Sequence, residues 1–161
     1  MAQLGPLLMS VVDCVFLAVA GGSREVGDWL VERVGAEVMV VEGEVVRLRM
    51  RGDGGQEWFG VVVQPNGYVV PEPEPEDVQA MDAYPVEVQV RGGQTYDELH
   101  RVAGRLFETL VSAHADVPAL LVHNLDTLVA AYLPGVGVHT FEPAITPDVE
   151  DIEAWRGWVR G

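Results

Sequence analysis

The segment from Pro85 to Val111 constrains the fold more than any other. Val86, Val88 and Val90 alternate with Glu87, Gln89 and Arg91, the period of a strand with one buried and one exposed face. Thr95 and Glu98 then form a T-x-x-E capping box, in which side chains satisfy the free backbone N–H groups of a helix start. Leu99, Val102, Ala103, Leu106, Phe107, Leu110 and Val111 follow at helical spacing as one apolar stripe. A helix with such a stripe needs a sheet or another helix to cover it.

Upstream, residues 8–20 form an apolar run that reads as a buried strand. Gly21-Gly22 turns the chain, and Ser23 is placed to cap a helix carrying Val26, Trp29, Leu30 and Val34 inward. Gly35 can close that helix in the left-handed conformation. Glu37 to Glu42 and Glu44 to Arg51 are separated by Gly43 alone, which predicts a hairpin or bulged pair. Gly52-Asp53-Gly54-Gly55 then leads into a strand over Glu57 to Gln64.

Pro71-Glu72-Pro73-Glu74-Pro75-Glu76-Asp77 alternates proline with carboxylate. Repeated proline and like-charge repulsion favour an extended, solvated path. Residues 65–83 are therefore expected to be an extended connection between two half-units of a single domain, 1–161. Beyond the long helix, Ala119 to Val122 reads as a short buried strand. Asn124 is expected to cap a helix with Leu125, Leu128, Val129 and Tyr132 inward, and Val136 to Phe141 a last strand. Thr146-Pro147 opens a terminal helix carrying Val149, Ile152, Trp155 and Val159 inward. Strand runs mixed with strand–helix units predict an α+β fold: a two-layer mixed or antiparallel sheet with helices mainly on one face. The alternative is a three-layer, doubly wound α/β sheet.

Charge and composition exclude several functions. Twenty-five Asp and Glu oppose ten basic residues, a net charge of −15. Nucleic acid binds through basic side chains that release counterions, so it is not an expected partner. The same field speeds association with a basic protein or a cation. All ten basic residues are Arg, a composition that fits a GC-rich bacterial genome. The lack of lysine removes Schiff-base and P-loop chemistry. Cys14 is the only cysteine, so neither an internal disulfide nor a thiolate zinc site is expected. Ala18-Val19-Ala20 resembles a signal-peptidase site, but residues 1–6 hold no Arg and Asp13 interrupts the apolar run. That pattern predicts a cytoplasmic protein without a membrane segment.

Among candidate chemistry, Gly21-Gly22-Ser23 sits between strand and helix where anions bind, but no glycine-rich fingerprint accompanies it. Asp53 lies in a glycine-rich turn without the residues of a calcium loop, and Arg51-Gly52-Asp53 is accounted for by that turn. His100, His114, His123 and His139 show no metal-ligand spacing along the chain. No metal or other cofactor is therefore expected. His123, Asp126 and His139, near strand ends with Ser112 or Thr127, can be drawn as a hydrolytic site, although no nucleophile elbow supports it.

Arg47, Arg49 and Arg51 share one strand face and form either an anion-recognising stripe or internal pairs with Glu37, Glu57 or the Pro-Glu tract. Trp158 near the C-terminus has the character of an interface anchor. The leading expectation is thus a non-catalytic, acidic protein-binding module of the immunity or antitoxin type. Glu72, Glu74, Glu76 and Asp77, with Arg47, Arg49, Arg51 and Trp158, are its candidate partner-binding residues, and a basic protein its partner. The alternatives are a hydrolase-like enzyme acting on a small molecule, and an effector chaperone or structural domain, the chaperone favouring a homodimer.

Overall fold

A computed structural model describes residues 11–52, 57–67 and 72–159. Its strands are β1 (Asp13–Leu17), β2 (Glu37–Glu42), β3 (Val45–Arg51), β4 (Trp58–Pro65), β5 (Val86–Arg91), β6 (Ala119–His123), β7 (Thr127–Leu133) and β8 (Gly137–Thr140). The helices are α1 (Ser23–Val34), α2 (Tyr96–Ala113) and the short α3 (Ile152–Trp155). All eight strands form one antiparallel sheet in the order β2-β3-β4-β5-β1-β6-β7-β8. The protein is an α+β fold. No helix among the described residues is long and apolar enough to cross a membrane.

Strand alternation divides the core in two. Val15, Leu17, Val46, Leu48, Val61, Val63, Val86, Val88 and Leu121 point to the face that α1 and α2 cover. The helices supply Val26 and Leu30 from α1 and Leu99, Val102, Leu106 and Leu110 from α2. Cys14, Phe16, Leu120, Val122, Leu128 and Ala131 point the other way, against Ala80, Met81, Tyr84, Trp155 and Val159. The long helices thus share one face, and 3₁₀ turns with the C-terminal segment cover the opposite face over β1 and β6 to β8.

Several local expectations are corrected. The Pro-Glu tract is not extended throughout: Pro75–Asp77 and Ala80–Ala83 are 3₁₀ turns. Burial of Ala80, Met81 and Tyr84 draws it onto the sheet, and buried Asn66 donates from Nδ2 to the carbonyls of Met81 and Tyr84. Glu72, Glu74, Glu76 and Asp77 remain exposed, as their charge demands. The expected helix after Asn124 is the strand β7, paired with β6 and β8. Its apolar run fits either period; as a strand it continues the sheet beyond β6, and a bulge between the pairs Leu121–Ala130 and Val122–Leu128 lets Leu128 and Ala131 both face the second core while Ala130 faces the first. Of the expected strand over residues 8–20, residues 8–10 lie outside the described residues, and over 11–20 the strand spans Asp13–Leu17.

Ser23 does not cap α1. Gly22, at φ 90°, holds the N-cap position without a side-chain bond, and the Ser23 hydroxyl is buried with no hydrogen-bond partner among the described residues. By contrast, Thr95 caps α2 as expected, its Oγ1 accepting from the Glu98 N–H at 3.1 Å. The terminal helix is shorter than expected, a 3₁₀ turn over Val149–Asp151 followed by one turn of α3. The Asp151 carboxylate accepts from the Thr146 N–H and hydroxyl, which holds it below the usual carboxylate range.

β5 also departs from its pattern. Glu87 is fully buried and Gln89 nearly so, because they share the face of their β1 partners Phe16 and Cys14, which the second core covers. Gln64 Nε2 donates to Glu87 at 3.0 Å, Gln89 Nε2 at 3.2 Å and the Cys14 thiol at 3.6 Å. Burial, reinforced by Glu87, pushes the Cys14 thiol far above its ordinary value, so it stays protonated.

Candidate functional site

Two regions carry features that folding alone does not require. The first lies where β1, β6 and α2 meet. Asp13 and His123 are cross-strand partners of β1 and β6 on the helix-covered face. His100, one turn into α2, reaches over the same strand ends. Its Nδ1 lies 2.6 Å from Asp13 Oδ2, and His123 Nε2 lies 3.7 Å from the same oxygen. The two imidazoles stack, with centroids 3.7 Å apart and planes 9° from parallel.

Asp13 is completely buried. A buried carboxylate is costly unless its oxygens are engaged. Here Oδ1 accepts from the Asn124 N–H at 3.2 Å, leaving Oδ2 toward the imidazoles. Asn124 and Leu125 form the tight turn between β6 and β7, both left-handed, at φ 51° and 61°. Asn tolerates that conformation, whereas Leu is strained in it. The turn aims the Asn124 N–H at the Val12 carbonyl, at 2.8 Å, with Asp13 Oδ1 as its second, longer acceptor. Burial, and then the neighbouring His100, hold the His123 imidazole below its ordinary pKa, against the opposing pull of Asp13.

A cavity of about 390 Å³ opens beside this cluster, lined by Val11, Tyr96, His100, His123, Asn124, Asp126 and Thr127. Asp126 accepts from Thr127 Oγ1 at 2.9 Å and from Asn124 Nδ2 at 3.3 Å. The structure therefore brings His123, Asp126 and Thr127 to one cavity. It does not bring His139 there. His139 pairs with Ala131, whose side chain faces the opposite core, and stacks on Trp158 at 4.0 Å. Ser112 lies exposed near the far end of α2. His114 stacks on Trp29 at 3.6 Å.

Chain spacing did not disclose this grouping, because Asp13 and His100 are 87 residues apart. The one available signal was Asp13 itself, a charge inside an apolar strand.

The second region is the β2 end of the sheet. No strand pairs with the outer side of β2 among the described residues. All six of its residues are exposed, including Val38, Met39, Val40 and Val41 in succession. A bulge falls between Val38 and Val40. Arg47, Arg49 and Arg51 lie on the face away from the helices, as their alternation predicts. Arg49 donates twice to Glu37 Oε1, at 3.1 and 2.9 Å, and Arg47 approaches Glu42 at 4.0 Å. The guanidiniums of Arg49 and Arg51 lie 3.9 and 4.1 Å from the Trp58 ring centre. Glu57 is not their partner: a hydrogen bond from its carboxyl to Glu98 raises its pKa instead. Trp158 is half-buried against the second core and stacked on His139. Compared with known proteins, the chain matches no family model, no curated protein and no solved structure.

Proposed function

We propose that the protein is a non-catalytic binding module that docks a basic protein along the β2 edge. One observation carries this reading. Of the eight large apolar side chains exposed among the described residues, four are consecutive in β2: Val38, Met39, Val40 and Val41. An unpaired strand edge offers a row of backbone donors and acceptors, and exposed apolar residues on it attract another strand. Strand addition uses those backbone groups for affinity and the alternate side chains for specificity.

Charge selects the partner. Glu37, Glu42 and Glu44 frame the edge, and Asp28 and Glu32 lie exposed on the neighbouring α1. With a net charge of −15, the molecule steers a basic surface toward it and repels acidic ones. Exposed Glu72, Glu74, Glu76 and Asp77 add to that field. Masking of a basic toxin by an immunity-type protein matches this chemistry.

The test is capture of partners by the full chain from its native cell extract, repeated with Val38→Lys/Val40→Lys. Lysines on an edge strand oppose pairing and cost the fold little. The expected result is a stoichiometric basic protein, retained by the wild type and lost with the lysine pair. Glu72→Gln/Glu74→Gln/Glu76→Gln should slow association and flatten its salt dependence while leaving dissociation unchanged. Retention that ignores the lysine pair overturns the reading. So does a salt-insensitive homodimer, seen by light scattering, that the lysine pair dissociates.

A further inference from the structure

We propose that Asp13, His100 and His123 form a binding site for a divalent transition-metal cation, of the borderline class that includes zinc. Three donors from three elements converge: Asp13 Oδ2 from β1, His100 Nδ1 from α2 and His123 Nε2 from β6, all within 4.8 Å of one another. In a zinc site with bonds of about 2.0–2.2 Å, neighbouring donors lie about 3.3 Å apart. The 3.7 Å from Asp13 to His123 is close to that spacing, and the 2.6 Å from Asp13 to His100 is a hydrogen bond whose proton a cation would displace.

The surroundings have the form of a ligand shell. The Asn124 N–H, shared with the Val12 carbonyl, also contacts Asp13 Oδ1, and a carboxylate ligand met from behind in this way presents its other oxygen toward the imidazoles. The sheet hydrogen bonds of β1 and β6 fix two of the three ligands relative to each other. The 390 Å³ cavity on the open side leaves room for water or a further ligand to complete the coordination. Two imidazoles and one carboxylate suit zinc, cobalt, nickel or ferrous iron, whereas magnesium and calcium prefer oxygen alone.

Two adjustments are required: the Asp13–His100 hydrogen bond at 2.6 Å opens to ligand spacing, and the imidazole stack parts. The stacked rings run their in-plane lone pairs side by side instead of toward one point. His123 must turn out of the stack for its Nε2 to share a cation with His100 Nδ1. It is only half-buried and borders the cavity, so the space for that turn exists. The site is independent of the β2 edge, which lies at the far end of the sheet.

The test is titration of the full chain with zinc by calorimetry near neutral pH, in excess magnesium to occupy the many surface carboxylates. One equivalent should bind. His100→Ala and His123→Ala should each weaken binding by about 100-fold or more, at least the loss that follows removal of an outer-shell partner. His114→Ala and His139→Ala, whose rings stack elsewhere, should leave it unchanged. A readout on the wild type needs no variant to fold: zinc should shift the imidazole NMR signals of His100 and His123 and leave those of His114 and His139 in place. Absence of saturable binding, or equal binding by His100→Ala and His123→Ala, overturns the site. Shifts confined to the other two histidines do the same.

Discussion

Strands β1 and β2 are nearly alike in composition and opposite in fate. β1 reads Asp-Cys-Val-Phe-Leu and every residue is buried; β2 reads Glu-Val-Met-Val-Val-Glu and every residue is exposed. Each is an apolar run with an acidic residue at its start. What separates them is place in the sheet. β1 lies between β5 and β6 with cores on both faces, so even its aspartate is enclosed and must find partners. Among the described residues β2 has one neighbour, and its valines are exposed. Both depart from the ordinary sorting of residues: a buried carboxylate bonded to one imidazole and close to a second, and an apolar edge with no further strand beside it among the described residues.

The comparison breaks most visibly in stability. Phe16→Ala in β1 removes a fully buried ring and should cost about 3–5 kcal/mol, whereas Val40→Ala in β2 should stay within about 0.5 kcal/mol. Chemical denaturation of the two variants checks this. A large cost at Val40 would mean that the edge is covered in solution. A smaller effect sharpens the account of the β6–β7 turn. Leu125→Gly removes a β-carbon from a left-handed residue and should raise stability by up to about 1 kcal/mol. A loss would mean that the Leu125 side chain, which packs on the second core, outweighs the strain.

The smallest expected effect is a pH dependence. His123 has a lowered pKa in the folded chain, so the unfolded chain takes up its proton first. The stability this provides is complete above the unfolded value near 6.5 and falls away as the pH drops through the folded one. His123→Gln should flatten the stability profile in that window, measured by denaturation at a series of pH values. An unchanged slope would place the acid sensitivity elsewhere.

Legibility followed the range of the interactions. The α2 capping box was readable because Thr95 and Glu98 are three residues apart and bond as their types dictate. The hairpin of β2 and β3 was readable because Gly43 takes a left-handed φ of 61°. The alternation of Arg47, Arg49 and Arg51 placed them on one face, although their partners, Glu37, Glu42 and the Trp58 ring, came from strand neighbours. Residues 124–132 were misread because Leu125, Leu128, Val129 and Tyr132 satisfy a helical period as well as a two-sided strand. Glu87 was misread because alternation assigns a side chain to a face and leaves unsaid whether that face meets water.

Local chemistry in the sequence determined which segments become α1, α2 and most of the strands, the α+β class, and the acidic field around the molecule. Those follow from backbone propensities, caps and summed charge, none of which needs a distant contact. Tertiary structure alone decided the strand order, and with it the surroundings of Asp13 and of β2. Insertion of β1 between β5 and β6 enclosed Asp13 and set it beside His100 and His123. The same order left β2 at the rim. Desolvation depends on neighbours brought in from far along the chain, so the sequence names the groups while packing decides which of them lose water.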